Sequence, residues 1–151
     1  MNETPSQTIG PFFRFGLDWL DASALTPAGS PDTVEVVGVV YDGDSSPVPD
    51  AVLELWQPPR FGRVLTDADG SFRFAVRTDT AHIEVAVFAR GLLQRVVTRM
   101  YFPGPPPADD PVLDLVPPGR RATLMATEDG PGCLRFDVHL QGPRETVFFA
   151  Y

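Results

Sequence analysis

The sequence predicts an all-β fold, a sandwich or barrel, on three observations. Helical periodicity is hard to find anywhere in the 151 residues, whereas short β-rich runs are common. Several of those runs alternate apolar and polar residues, as a half-buried strand does. Seventeen prolines and thirteen glycines punctuate the chain between them. The length suits one domain with a real core, residues 1–151. Within it, 1–33 reads as an N-terminal arm and connecting segment, and 34–151 as the sandwich core.

The elements follow in order. "TPSQTIGPFF" (4–13) cannot form a helix, because Pro5, Gly10 and Pro11 interrupt it, and it reads as an extended arm. A looser stretch follows to Asp32. "VEVVGVVYDGD" (34–44) is a strand running into an Asp-Gly turn. "VLELW" (52–56) alternates, and "FGRVLTDADGSFRFAV" (61–76) reads as a hairpin turning at Asp67–Gly70, with Phe72 and Phe74 on one face. "HIEVAVFA" (82–89) and "VVTRMYF" (96–102) are further strands. Proline keeps "PGPPPADDP" (103–111) open as a loop. "VLDLV" (112–116) fits either a helical turn or a strand. "CLRFDVHLQG" (133–142) alternates strongly, and "TVFFAY" ends the chain. The sum is seven or eight strands without an internal repeat.

Composition removes several function classes. The net charge of −8 argues against a nucleic-acid or anionic-membrane partner. No apolar run approaches the roughly 20 residues that span a bilayer. The N-terminus lacks the basic and apolar regions of a secretory signal. Cys133 is the single cysteine, so no internal disulfide forms, which points to a reducing cytoplasm. It sits in an alternating run and is expected to pack as a small hydrophobe. Every basic side chain is arginine, for which genome composition is the plain cause, and an anionic substrate would need locally placed arginines.

Candidate chemistry centres on "TAHIEV" (80–85). His82 and Glu84 are two apart, so in a strand both point to one face and could grip one ion. Ferric iron, a hard ion, would accept imidazole, carboxylate and phenolate. The tyrosines Tyr41, Tyr101 and Tyr151 form no obvious cluster with His82, and a buried, hydrogen-bonded histidine is the plainer reading. His139 falls on the polar face of its run, with Arg135, Asp137 and Gln141, as a solvated strand residue would. An isolated ferric enzyme using His82, His139 and Tyr101 is one further class. No G-x-S-x-G and no phosphate loop is present.

The strand–turn–strand order of "VVGVVYDGDSSPVPDAVLELWQ" and "TDADGSFRF" describes a prealbumin-like β-sandwich, a pattern that non-catalytic binding modules also show. Six phrases in order are more specific: the arm, that strand pair, "FGRVLTDADGSFRF", "AHIEVAVFARGLLQRVVTRMYF", "DPVLDLVPPGRRATLMA" and "LRFDVHLQGPRETVFF". Together they resemble the intradiol ring-cleavage dioxygenases, and within them the α-type chains of two-chain members. "FARGL" paired with a "HLQGxxETVFF" ending carries the α-type likeness.

The resemblance implies that two tyrosines and two histidines of a β partner hold a non-haem Fe(III). It implies protocatechuate as substrate, opened with O2 to 3-carboxy-cis,cis-muconate. Catalytic chains carry His-x-His where this one has His82 and Glu84. Neither the segment after Trp56–Gln57 nor that between Arg77 and His82 contains a tyrosine. The resemblance therefore implies a vestigial metal position at His82 and Glu84, with no metal and no catalytic residue in this chain alone. Carried over residue by residue, it makes Thr8, Gly10 and Pro11 of the arm, with Arg90 of "FARG", the lining of a substrate cavity shared with the partner. Departures lie after "WQ", where the chain is short, and in the ending "FFAY". The runner-up is a prealbumin-like binding or structural module without a catalytic partner.

Overall fold

A computed structural model describes residues 5–10, 12–17, 25–26, 30–105 and 107–150. Its elements are α1 (Phe12–Phe15), β1 (Thr33–Tyr41), β2 (Val52–Gln57), β3 (Arg60–Leu65), β4 (Ser71–Arg77), β5 (His82–Phe88) and β6 (Val96–Tyr101). Then come α2 (Pro111–Asp114), a 3-10 helix (Pro118–Leu124), β7 (Thr127–Glu128), β8 (Cys133–Arg135) and β9 (Val138–His139). Two sheets result. One runs β4-β1-β8-β7, with β9 also pairing β1; the other runs β3-β2-β5-β6. This is the all-β sandwich that the alternation predicts. Among the described residues no helix is long and apolar enough to cross a membrane.

Alternation builds the core. Ile83, Val85 and Val87 of β5 point inward with Leu53 and Leu55 of β2, against Val36 and Val40 of β1 and Phe72, Phe74 and Val76 of β4. Burying each such side chain contributes roughly 1.5–3 kcal/mol. Gly38 sits where β1 passes Phe136: a Cβ there would lie 2.0 Å from the Phe136 carbonyl oxygen and 2.5 Å from the Phe72 ring. Only glycine lets the two segments approach this closely.

The structure corrects or settles several expectations. The run 61–76 is not a hairpin. Its turn forms, with the Gly70 amide donating to the Asp67 carbonyl at 2.9 Å, but β3 pairs β2 while β4 pairs β1. The chain thus arches from one sheet to the other. Alternation reports which face is buried and not which strand lies alongside, so it cannot separate an arch from a hairpin. The run 133–142 is two short strands, β8 and β9, both parallel to β1. Between them the Asp137 carboxylate takes the Val39 amide at 3.0 Å, a side chain replacing a ladder carbonyl. The single turn α1 begins at Phe12, inside the arm 4–13 where the sequence predicts no helix, and runs into the looser stretch that follows. Of residues 112–116, the first three fall in the short α2, a helical turn rather than a strand. Its first turn is capped by Asp110, whose carboxylate accepts from the Val112 and Leu113 amides at 3.0 and 3.1 Å. Cys133 is half-buried rather than part of the core.

A second apolar cluster of Tyr101, Leu113, Val116 and Leu124 covers the β6 edge. There the Ala126 amide donates to the Tyr101 carbonyl at 2.9 Å and the Phe149 amide to Val97 at 2.8 Å, so this edge is partly capped.

Candidate functional site

β5 has a cluster of polar side chains at each end. Beyond its C-terminal end the chain turns at Arg90–Gly91, with Gly91 at φ +88°. The Gly91 amide donates to the Thr8 hydroxyl at 2.9 Å, which brings the N-terminal arm beside Arg90. Two further contacts hold the arm. The Phe13 ring lies 5.6 Å from Phe88, and the Arg14 guanidinium donates to the Pro49 carbonyl. Arg90 pairs with Asp50 and remains 59% exposed, so donors of its fork still face solvent. Nothing lies within 4 Å of where a Gly10 side chain would start, so its backbone is open to approach. Pro11 lies outside the described residues. Phe12 and Phe15, both strongly exposed, flank this region.

At the start of β5, His82 and Glu84 do share one face, the outer face of the four-stranded sheet. Register sets His82 opposite Tyr101 and Glu84 opposite Arg99. The His82 and Tyr101 rings are 5.1 Å apart. The Tyr101 hydroxyl donates to Asp110 at 2.7 Å. The Arg99 guanidinium lies 3.6 Å from Glu84 and 3.4 Å from Asp110, bridging the two carboxylates. His82 Nδ1 is buried without a hydrogen-bond partner, 4.0 Å from Asp110. The buried, hydrogen-bonded histidine expected from sequence is thus half-buried, with that nitrogen unbonded.

Environment sets the titration of these groups. Burial, helped by Arg99, holds the His82 imidazole below its ordinary value, against the pull of Asp110 and Glu84. Burial also pushes the Tyr101 phenol up to about 12, and its bond to Asp110 adds to the rise. Burial would raise the Asp110 carboxyl. The Tyr101 hydroxyl, the Leu113 and Val112 amides and Arg99 together outweigh it and hold the group below the usual carboxylate range.

Iron does not fit this locus. A metal needs lone pairs converging on an open centre, but a guanidinium already lies between the two carboxylates. The one phenol present has spent its proton on Asp110 and is harder to ionise than usual, not easier. Among the described residues no group of three or more His, Cys, Asp or Glu is placed to hold a metal. The trio His82, His139 and Tyr101 is not assembled either. His139 belongs to β9 in the other sheet and stacks on Tyr41 at 4.9 Å.

Sequence reasoning missed Arg99 and Asp110. The signals were present: Arg99 alternates with buried Thr98 and Met100, and Asp110-Pro111 is a helix-start pair. The outer face continues past Glu84 into a depression of about 470 Å³ lined by Glu54, Trp56, Ala86, Arg95 and Val97.

The chain is 38% identical to the protocatechuate 3,4-dioxygenase alpha chain of Burkholderia cepacia over 192 aligned positions, covering 99% of this chain and 98% of that one. It is 34% identical to the alpha chain of Pseudomonas putida over 200 positions, covering 99% and 96%. The beta chain of Burkholderia cepacia matches at 29% over 153 positions, covering 74% of this chain and 65% of that one. The fold resembles the dioxygenase domain of a dioxygenase–carbohydrate-binding protein fusion from Streptomyces sp. SirexAA-E, with TM-score 0.59, 26% identity and coverage of 93% and 99%. Catechol 1,2-dioxygenase from Acinetobacter sp. ADP1 shares the fold at TM-score 0.56 and 18% identity, over 79% of this chain and 56% of that one. No family model matches.

Proposed function

This chain belongs to the intradiol dioxygenases as a relative of the protocatechuate 3,4-dioxygenase alpha chains, and we propose that it completes the substrate cavity of such an enzyme together with a beta-type partner. The reaction adds both atoms of O2 to protocatechuate, breaks the bond between the hydroxyl-bearing carbons and leaves 3-carboxy-cis,cis-muconate. On this reading the partner would hold the Fe(III), which would supply the Lewis acidity that activates the catechol. We place the complex in the cytoplasm, in keeping with a single cysteine.

One observation carries the role of this chain: the arm is fastened to the Arg90 turn by the Thr8–Gly91 bond. That bond sets Thr8 beside the permanently charged Arg90, which supports reading Thr8, Gly10 and Pro11 of the arm as cavity lining together with Arg90. Arg90 serves an anionic substrate without leaving Asp50, because a guanidinium has five donors. The exposed Phe12 and Phe15 offer the apolar contact that a partner chain would cover.

Co-expression with a beta-type chain tests the proposal. The complex is expected to be coloured, to contain iron and to consume O2 with protocatechuate, and the chain alone is expected to be colourless and inactive. A chain that binds no such partner would be the prealbumin-like binding module instead. Within the complex, Arg90→Ala should leave iron content unchanged. Loss of a fully formed charge-assisted hydrogen bond, about 1.5–3 kcal/mol, corresponds to roughly 10- to 150-fold in kcat/KM. Unchanged kcat/KM in that variant would remove Arg90 from the cavity.

A further inference from the structure

Arg90, just beyond the C-terminal end of β5, has a built support. It meets the Asp50 carboxylate through Nε, the guanidinium nitrogen nearest the chain, which leaves the terminal Nη pair on the exposed side. Asp50 stands in the connection from β1 to β2, and the backbone on both sides of it is fixed. The hydroxyl of Thr66, a wholly buried residue, donates to the Val48 carbonyl at 2.8 Å and accepts from the Ala51 amide at 3.0 Å. The Thr66 amide donates in turn to the Ala51 carbonyl at 3.0 Å. The Pro49 carbonyl, between these anchors, accepts from the Arg14 guanidinium of the arm. We propose that Asp50 is the positioning residue for Arg90, aiming its terminal nitrogens at the anionic substrate from a base that also holds the arm. This rests on the reading that Arg90 lines the cavity shared with the partner.

Stability alone does not account for the pair. Arg90 is 59% exposed, and an ion pair that open to solvent adds little to folding. Asp50 is only 18% exposed, and its backbone cannot shift without breaking the Thr66 bonds. The acid is therefore the rigid member and the arginine the adjustable one. A free arginine side chain has many rotamers, and ordering it each time a substrate arrives weakens binding. A fixed carboxylate at Nε removes much of that freedom beforehand, and it uses one donor of five. The contacts also close a ring: Thr8 to Gly91, Arg90 to Asp50, Pro49 to Arg14, and back along the arm. Asp50 has an opposite effect as well, because its charge repels an anionic substrate whenever Arg90 is not there to cover it. That opposition gives the pair a signature that a purely structural contact lacks.

The test uses the complex with a beta-type chain, as wild type, Asp50→Ala, Asp50→Asn, Arg90→Ala and the double variant Asp50→Ala/Arg90→Ala. Iron content and the thermal unfolding midpoint are measured beside kcat and KM for protocatechuate. Asp50→Ala should lower kcat/KM by roughly 5- to 30-fold with iron unchanged, and Asp50→Asn, which keeps one acceptor oxygen, by less. The double variant should be no slower than Arg90→Ala and somewhat faster, because the uncovered carboxylate is gone. Wild-type kcat/KM in Asp50→Ala would overturn the inference. So would a double variant slower than Arg90→Ala, since Asp50 would then act without Arg90. Asp50→Ala and Asp50→Asn complexes that both lack iron or a cooperative unfolding transition would assign Asp50 to the fold and overturn it as well. Arg90→Ala at wild-type kcat/KM would overturn both this inference and the cavity reading. A slow Arg90→Ala beside an undisturbed Asp50→Ala would overturn the inference alone.

Discussion

Tyr101→Phe removes the hydroxyl that ties the β5–β6 cluster to Asp110. The ring is 1% exposed and its hydroxyl donates to Asp110, itself 8% exposed, at 2.7 Å. Removing one oxygen leaves little void, so the hydrogen bond dominates the effect. Bonds to charged groups contribute about 1.5–3 kcal/mol, and the lower half of that range applies here because Asp110 keeps the Val112 and Leu113 amides and Arg99. Roughly 2 kcal/mol in a domain of this size lowers Tm by roughly 4–8 °C. Urea unfolding of the full chain should show a lower midpoint with an unchanged slope. The sign of the pH effect follows from Asp110. Its folded carboxyl lies below the usual 3.8, partly through this hydroxyl, so it stabilises the fold above that pH and the contribution is lost as pH falls through the folded value. Without the hydroxyl that loss should begin at higher pH. A variant within about 0.5 kcal/mol of wild type would refute the reasoning, because a loss that small is ordinary for a surface change.

Other expectations are simpler to state. Gly38→Ala should cost about 3 kcal/mol or more, since its Cβ meets a backbone oxygen at 2.0 Å, and a normal denaturation midpoint would contradict the packing described. Both histidines lie below the ordinary 6.5, His82 and His139 alike chiefly through burial. The unfolded chain therefore binds more protons just below pH 6.5, so stability should decline as pH drops from there, and His82→Gln should flatten that slope; a slope unchanged by it would contradict the placement. Thr8→Ala removes an exposed bond and should shift the stability of the lone chain by less than about 0.5 kcal/mol. In the complex it should lower kcat/KM about two- to tenfold; full activity would detach the arm from the cavity.

The fold class and most strand positions were legible because alternation is a local property. β2, β5 and β6 fall within a residue of their expected ends. What sequence could not supply was pairing. The 61–76 arch looks like a hairpin because both strands bury one face in the same core. The 133–142 run looks continuous because Asp137, an apparent outward residue, replaces a carbonyl in the ladder. At the candidate site, Thr8 and Arg90 entered through resemblance. Their meeting depends on a contact between residues 8 and 91 that no local pattern encodes. His82 and Glu84 were visible from spacing, whereas Arg99 and Asp110 come from a neighbouring strand and a loop.

The two clusters lie at opposite ends of one strand, and that separation bears on how the chain can work. His82 begins β5 and Arg90 follows its end. At about 3.3 Å per residue, seven strand residues and the start of the turn separate them by roughly 20–25 Å. A protocatechuate molecule is far shorter than that. An Arg90 that touches substrate therefore cannot be touching one held at the His82 locus of its own chain, even if that locus bound a metal. Either Arg90 has no part in catalysis, or the substrate it meets is held away from that locus, on the proposed reading by another polypeptide docked against the arm. The second alternative fits an arm fastened at Thr8 and a His82 locus in which Arg99 already lies between Glu84 and Asp110.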